Sequence, residues 1–313
     1  DGRADGASEG GPDSAGQRDA GTGRSTAPAA ARASADGGTS ADARASGDTG
    51  VTDASAPSKP AATGYHVRGR NLYDRCGERV VLRGVNHPTL YVDRPGDALP
   101  EIAKIGANVV RIFWYAENGV PITAAEPAIA RAIENGMIPM LEMHDSTCEW
   151  NLDPIVQYYT AADALALIHE YEANLIINIA NEPSPPSDAE FASKYSSVVK
   201  EMRDAGIHTP LVIDGGNCGR DYGVLFSQGP AVLAADPDHN LIFSAHLYDP
   251  LSDAQLVSVF QQSIALDLPF IVGEFANREP PGCGPALAYD ALVQEASRFG
   301  IGWLAWSWGD NDP

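Results

Sequence analysis

Two glutamates end apolar stretches of the chain, where a buried strand would ordinarily continue with apolar residues. Glu182 ends the run 175–182 (LIINIANE), and Glu274 lies near the end of the run 269–275 (PFIVGEF). When two carboxyl groups face each other across a pocket, one can transfer a proton while the other attacks a reacting carbon. The chemistry open to this chain therefore depends on whether its fold brings the two residues together.

Other polar or aromatic residues end similar apolar runs elsewhere in the chain. They are Arg111, His144, Asn181, His246, Tyr248 and Trp306. A single residue of this kind is readily explained as a satisfied polar group of the core, whereas functional groups at the ends of six runs are not. We therefore predict that the ends of these runs meet at one pocket.

The apolar runs recur along the chain at a regular interval. Their starts are about 30 residues apart, and helical stretches such as 126–134, 188–205 and 286–299 fall between them. The runs are residues 79–86, 108–114, 138–145, 175–182, 210–216, 240–248, 269–275 and 300–308. Eight strands that alternate with helices predict a protein of the α/β class with a (β/α)₈ TIM barrel, in which the C-terminal ends of the strands surround the active site.

Three further features flank the repeating units. Residues 65–73 predict a β-hairpin that turns at Arg68-Gly69-Arg70 and covers the N-terminal face of the barrel. Residues 1–60 contain no Leu, Ile, Met, Phe, Tyr, Trp or Cys, which predicts a disordered Ala/Gly/Ser/Asp-rich linker before a catalytic domain at 61–313. The sequence ends five residues after Trp308, so we expect the barrel to lack the helix after its eighth strand.

The two glutamates fall on the fourth and seventh predicted strands, on opposite sides of the barrel mouth. Two carboxyl groups about 5–5.5 Å apart are what a glycosidase needs to cleave a sugar linkage with retention of configuration. Arg111 can hold Glu274 ionised by its charge, and the Tyr248 hydroxyl can orient that carboxylate. This pattern favours a retaining glycosidase.

The remaining pocket residues suit a sugar substrate. Asn181 can bond a sugar 2-hydroxyl, an interaction that strengthens in the transition state. Trp306 offers a flat apolar face on which a pyranose ring can stack. His144 and His246 can donate hydrogen bonds to the sugar or to the two carboxylates.

From residue 64 to residue 311 the sequence resembles glycoside hydrolase family 5. The resemblance rests on seven motifs: 82–87 (LRGVNH), 106–112 (GANVVRI), 141–145 (LEMHD), 178–183 (NIANEP), 243–248 (FSAHLY), 271–275 (IVGEF) and 302–308 (GWLAWSW). It implies endo-hydrolysis of a β-1,4-linked polysaccharide with retention and without a cofactor or metal. It also implies that Glu182 is the acid/base, that Glu274 is the nucleophile, and that the six residues named above line the pocket.

Within that family the sequence looks most like the bacterial endo-β-1,4-mannanase branch, on residues 82–87, 141–145 and 302–308. It departs from the branch in the loops after the first, fourth and fifth strands, at 88–91, 183–187 and 216–220. Tyr91, Trp114, Tyr115 and Trp150 are candidate stacking platforms or, alternatively, packing residues. The favoured substrate is mannan or glucomannan. An endo-β-1,4-glucanase and a non-catalytic carbohydrate-binding barrel are the alternatives.

The net charge of −21 excludes binding to nucleic acid through phosphate neutralisation and disfavours anionic membranes. No run has the length of a transmembrane helix. We expect a monomer whose partner is its polysaccharide substrate, secreted or tethered at the cell surface. Of four cysteines, Cys148, Cys218 and Cys283 follow strands on the same barrel face, so two of them could form a disulfide; free thiols are the alternative.

Overall fold

The computed structural model describes residues 64–116, 119–278 and 286–309. Three of the sequence-based expectations lie outside these residues: the disordered linker at 1–60, the pairing state of Cys283, and the lack of a helix at the C-terminal end of the chain. The boundary between linker and catalytic domain therefore stays a prediction.

The described chain begins with a small antiparallel sheet of three strands, β1 (His66–Arg68), β2 (Asn71–Tyr73) and β3 (Arg79–Val80). The predicted hairpin is confirmed, and Gly69 takes a positive φ of 53° in its turn. The third strand was not predicted as such, because residues 79–86 form one extended run in the sequence. The structure divides that run into β3 and the first barrel strand.

The Asn108 side chain forms hydrogen bonds with the backbone on both sides of the point at which the run divides. The side chain accepts a hydrogen bond from the backbone N–H of Arg83 (2.7 Å) and donates one to the carbonyl oxygen of Val81 (2.9 Å). Backbone groups that leave one sheet before joining the next are thereby satisfied. The chain can change sheets here without an unpaired polar group.

Eight parallel strands close into a barrel, as predicted. In chain order they are β4 (Arg83–His87), β5 (Val109–Trp114), β6 (Ile138–Met143), β7 (Ile176–Asn178), β8 (Leu211–Asp214), β9 (Leu241–His246), β10 (Phe270–Glu274) and β11 (Gly302–Ala305). Each strand pairs with its sequence neighbours, and β11 pairs with β4 to complete the ring. The described residues therefore form a (β/α)₈ TIM barrel.

Helices connect the strands and cover the outside of the barrel. They are α1 (Thr89–Val92), α2 (Leu99–Lys104), α3 (Glu126–Glu134), α4 (Asp153–Tyr159), α5 (Ala162–Tyr171), α6 (Asp188–Asp204), α7 (Tyr222–Ala235), α8 (Asp253–Ala265) and α9 (Tyr289–Phe299), with a 3₁₀ helix at Ile122–Ala125. Within the described residues, no helix is both long and apolar enough to cross a bilayer.

Alternation along the strands separates two apolar regions. On β5, Val110, Ile112 and Trp114 face outward into the core between strands and helices. Val109 faces inward and joins an apolar floor inside the barrel, against which Leu72 and neighbouring residues of the N-terminal sheet pack. The sheet thus covers the N-terminal face as predicted, and the dry floor leaves the opposite end of the barrel for polar groups.

Gly84 of β4 lies where no side chain fits. A Cβ built at this position would lie 1.8 Å from the carbonyl oxygen of Val109 on the neighbouring strand. We expect Gly84→Ala to lower the free energy of unfolding by about 3 kcal/mol or more, because a backbone clash cannot be relieved by a rotamer change. Urea unfolding measures this, with Gly229→Ala as the control, since a Cβ there meets only side-chain carbons at 3.3 Å or beyond. Equal stability of the two variants would contradict the prediction.

Candidate active site

The inner end of the pocket is organised by Arg111, which projects from β5 into the barrel and is almost fully buried. Its guanidinium donates hydrogen bonds to Asn178 Oδ1 (2.7 Å), Asn86 Oδ1 (3.0 Å), Asn181 Oδ1 (2.8 Å) and Glu274 Oε1 (2.7 Å). Burial alone would lower the pKa of Arg111, but the surrounding carboxylates outweigh it and raise that pKa. Arg111 is therefore a fixed cation below the cleft.

Two buried carboxylates complete the surroundings of this cation, and neither was predicted. Arg111 Nη2 lies 3.5 Å from Glu142 Oε1 and 3.4 Å from Asp214 Oδ2. Both acids are fully buried, Glu142 on β6 and Asp214 on β8. A charged residue inside an otherwise apolar strand was the available sequence signal, in LEMHD and in LVIDGG, and the sequence analysis gave neither residue a role.

Glu274 ends β10 and is held from two sides. Arg111 donates to Oε1, and the Tyr248 hydroxyl donates to Oε2 at 2.8 Å. The pairing register between β9 and β10 shifts just before Glu274, at Gly273. A Cβ on Gly273 would lie 2.1 Å from Ser244 Oγ and 3.1 Å from His246 Nε2, so this residue must be glycine for the strands to approach. The predicted partnership of Glu274 with Arg111 and Tyr248 is present in the structure.

Burial and the neighbouring positive charges shift the pKa of Glu274 in opposite directions. Burial raises the pKa of Glu274 above its ordinary value, while the positive charges of His246 and Arg111 act in the opposite direction. Burial and the neighbouring Glu274 carboxylate raise the pKa of the Tyr248 hydroxyl well above its ordinary value. Tyr248 therefore keeps its proton at neutral pH and is a hydrogen-bond donor to Glu274.

Glu182 follows β7 and has different partners from Glu274. His246 Nδ1 lies 2.7 Å from its Oε1. Burial alone would lower the pKa of His246, but Glu274, Asp214 and Glu182 raise it to about 9, so the imidazole is positively charged at neutral pH. A donor that carries an exchangeable proton thus contacts Glu182, whereas the donors on Glu274 keep their protons.

The two carboxyl groups face each other across the barrel mouth. One oxygen of Glu182, one of Glu274 and a nitrogen of His246 all lie within 4.8 Å of one another. Donor atoms this close could share a cation, but Arg111 and Tyr248 already donate to the two Glu274 oxygens, and His246 already contacts Glu182 Oε1. Carboxyl oxygens this close fit the separation of about 5–5.5 Å that a double displacement requires.

His144 and Asn181 form the side of the pocket next to Trp306. The buried Glu142 carboxylate accepts from His144 Nδ1 at 3.1 Å, which turns Nε2 toward Asn181 Nδ2 at 3.4 Å. Burial alone would lower the pKa of His144, but the Glu142 charge outweighs it and raises that pKa. Glu142 therefore fixes the orientation of the His144 ring, with Nε2 next to the Asn181 amide.

Aromatic rings form one wall of the site. Phe113 stacks on His144 with ring centroids 4.6 Å apart and lies nearly parallel to Trp306 at 6.1 Å. Phe113 was missed by the sequence analysis, although it lies two residues after Arg111 and so on the same side of β5. The wall continues at the rim to Tyr115 and to Tyr91, a side chain that is 64% exposed.

The four candidate stacking platforms divide into two pairs. Trp114 is fully buried in the core, and Trp150 packs against Phe191 and Tyr195. These two are packing residues. Tyr91 and Tyr115 remain candidates, since both lie beside the aromatic wall.

The pocket opens as a cleft of about 560 Å³. All predicted site residues except the deeply buried Arg111 and His246 line it directly: Glu182, Glu274, His144, Asn181, Tyr248 and Trp306. Those two contact the carboxylates from beneath. The structure thus brings all eight predicted residues into one site.

A disulfide between Cys148 and Cys218 forms part of the cleft wall and joins the loops after β6 and β8. It flanks Glu182, whose backbone carbonyl accepts from the Cys148 N–H at 2.9 Å. This selects one of the pairings that the sequence left open. Cys76 is exposed and not disulfide-bonded.

A (β/α)₈ barrel with two such carboxyl groups at the C-terminal ends of its fourth and seventh strands is the architecture of a retaining glycosidase. The family model described as cellulase (glycosyl hydrolase family 5) matches residues 73–312. The chain belongs to glycosyl hydrolase family 5 and is a glycoside hydrolase.

Relatives within the family are named as mannanases. The chain is 34% identical to a mannan endo-1,4-beta-mannosidase of Salipaludibacillus agaradhaerens, over 79% of this chain and 82% of the relative. It is 32% identical to one of Streptomyces lividans, over 80% and 67%. A structure titled as the beta-mannanase from Streptomyces thermolilacinus with mannohexaose superposes with a TM-score of 0.73 at 31% identity, covering 80% of this chain and 86% of that one.

The disulfide generates a stability prediction. It closes a loop of 70 residues, for which the chain-entropy model gives about 4 kcal/mol of stabilisation. We expect Cys148→Ser combined with Cys218→Ser to lower the free energy of unfolding by about that amount in urea titrations. Cys76→Ser is the control and should leave it unchanged; equal unfolding midpoints for both variants would contradict the prediction.

Proposed function

We propose that this glycoside hydrolase cleaves internal β-1,4 linkages of mannan or glucomannan with net retention, using Glu274 as nucleophile and Glu182 as acid/base. The observation that carries the proposal is the asymmetry of the two carboxyl groups. Glu274 accepts from two donors that keep their protons, Arg111 and Tyr248. Glu182 is bonded to a histidine that can exchange its proton.

These surroundings support a double displacement. In the first step Glu182 gives a proton to the glycosidic oxygen while Glu274 attacks the anomeric carbon, so the glycosidic bond breaks and a glycosyl–Glu274 ester forms. In the second step Glu182 takes a proton from water, which attacks the same carbon and releases Glu274. Arg111 and Tyr248 stabilise the carboxylate as it leaves.

The arrangement above the carboxyl groups suits one pyranose ring. Trp306 supplies the apolar face, and Asn181 with His144 supplies polar groups at its edge. Inversion requires room for a water between carboxyl groups about 6.5–9.5 Å apart. One oxygen of Glu182 and one of Glu274 lie within 4.8 Å of each other, which supports retention.

Mannan is favoured as the substrate because the relatives above are named for it. An endo-β-1,4-glucanase is the second candidate, since endoglucanase E-5 of Thermobifida fusca is 25% identical over 268 residues. We further infer export to an oxidising compartment, because a disulfide lines the cleft. A monomer suffices for activity, because one chain supplies every group of the site.

The direct test is the release of reducing sugar from galactomannan and from carboxymethyl-cellulose. We expect release from galactomannan by the wild type and a fall of at least about 10³-fold in Glu274→Gln, because the amide cannot form the ester intermediate. Glu201→Gln, an exposed site on α6, is the control. Equal release by Glu274→Gln would refute the nucleophile assignment, and release from cellulose alone would refute the mannan assignment.

The Tyr248 hydroxyl generates a pH prediction. Removing it in Tyr248→Phe takes a hydrogen bond from the ionised form of Glu274, whose pKa burial already raises, so that pKa rises further. The active form of Glu274 is then lost at a higher pH. We expect the acidic limb of the bell-shaped kcat/KM profile to move to higher pH, by about one unit, while the basic limb stays in place. An unmoved acidic limb would contradict this account of Glu274.

A further inference from the structure

Asp214 contacts the site from beneath, yet neither step of the proposed mechanism uses it. It ends β8, is fully buried, and accepts a hydrogen bond from Arg111 Nη2 through Oδ2 at 3.4 Å. Its Oδ1 accepts from Asn178 Nδ2 at 3.2 Å. Its Oδ2 contacts Arg111 Nη2, the backbone N–H of Glu182 and His246 Nε2. The contacts with Glu182 and His246 bear on the acid/base.

The first of these contacts acts on the backbone of Glu182. That residue has a φ of 45°, a left-handed conformation that is costly for a residue with a side chain. Asp214 Oδ2 accepts from the Glu182 N–H at 3.2 Å, while Cys148 N–H donates to the Glu182 carbonyl. Asp214 thus helps to hold the backbone that aims the Glu182 carboxyl into the cleft.

The second contact is with the far side of His246. Asp214 Oδ2 lies 3.4 Å from His246 Nε2, a charge contact without hydrogen-bond geometry. Within the described part of the chain, that buried nitrogen has no hydrogen-bond partner. The charged groups facing the imidazole are Glu182 from the loop after β7, Asp214 from β8 and Glu274 from β10, with Arg111 next to the latter two.

We propose that Asp214 is a positioning residue that sets the upper pH limit of catalysis, because through His246 it keeps a proton available to Glu182. His246 and Glu182 share one hydrogen bond, and the pair must hold one proton for Glu182 to protonate the leaving oxygen. A negative charge on the far side of the imidazole makes loss of that proton harder. The proposal rests on the proposed role of Glu182 as acid/base.

The proton balance follows from this pairing. When Glu182 gives its proton to the glycosidic oxygen, the pair is left as a neutral imidazole and a carboxylate. The attacking water of the second step returns one proton to Glu182, which shares it with His246 again. Above the pH at which the pair loses this proton, the first step stops.

The test is the basic limb of the kcat/KM profile in Asp214→Asn. With an unactivated manno-oligosaccharide we expect this limb to move to lower pH by about one unit or more, because the nearby negative charge is gone. Glu142→Gln is the matched control: it removes an equally buried carboxylate 3.5 Å from Arg111 Nη2, against 3.4 Å for Asp214, but that carboxylate bonds His144 and not His246. Its basic limb should move much less.

An aryl β-mannobioside with a dinitrophenol leaving group tests whether the shift of the basic limb arises from protonation of the leaving group. This leaving group needs no proton, so the basic limb should disappear from the profiles of both the wild type and Asp214→Asn. An unmoved limb in Asp214→Asn, or an equal shift in Glu142→Gln, would overturn the proposal. A wild type that hydrolyses no β-mannoside would instead refute the proposed function.

A variant that does not fold would still leave the proposal testable. Thermal unfolding identifies such a failure of Asp214→Asn. His246→Gln then replaces it, since the amide can donate to Glu182 but cannot hold the shared proton. The same shift of the basic limb to lower pH is expected, and an unchanged limb in His246→Gln would overturn the proposal.

Discussion

The site depends on one buried cation. Arg111 lies inside the barrel, out of contact with water, and a guanidinium in such a place is stable only with acceptors and counter-charges around it. Three strands and the loop after β7 supply them as Asn86, Asn178, Asn181 and Glu274, with Glu142 and Asp214 as additional carboxylates. Any shift of one strand relative to its neighbour would leave some of these charges unpaired. The hydrogen bonds and counter-charges that satisfy Arg111 therefore also fix the positions of the groups that do chemistry.

The same network gives two glutamates different properties. Glu274 sits over the fixed charge of Arg111, whereas Glu182 shares a hydrogen bond with His246, which is itself surrounded by three carboxylates. A residue that must be ionised to attack and a residue that must exchange a proton need such different surroundings. The difference arises from which side chains approach each carboxyl, since both residues are glutamates at the ends of parallel strands.

Much of the site was predictable from the sequence, because the order of the strands along the chain fixes their order around the barrel. Residues at successive strand ends must meet at one face, so eight site residues from Arg111 to Trp306 could be placed together from their positions in the runs. Glu142 and Asp214 could not be assigned in this way, because their function lies in contacts with Arg111, His144 and His246 that only the closed barrel creates. Trp114 was ambiguous for a related reason: its orientation depends on the strand register, which sends alternate residues to opposite faces. The choice of Cys148 with Cys218 likewise depended on loop geometry.

The central claim is that Glu274 is the residue that bonds to the sugar. A 2-deoxy-2-fluoro-β-mannoside with an activated leaving group slows breakdown of the glycosyl-enzyme, so the adduct can be observed by intact-mass spectrometry and located by peptide mapping. The account predicts an increase of one fluoroglycosyl group per chain, on the peptide that contains Glu274. A label on Glu182, or steady turnover of ordinary substrate with inverted products and no adduct, would contradict it.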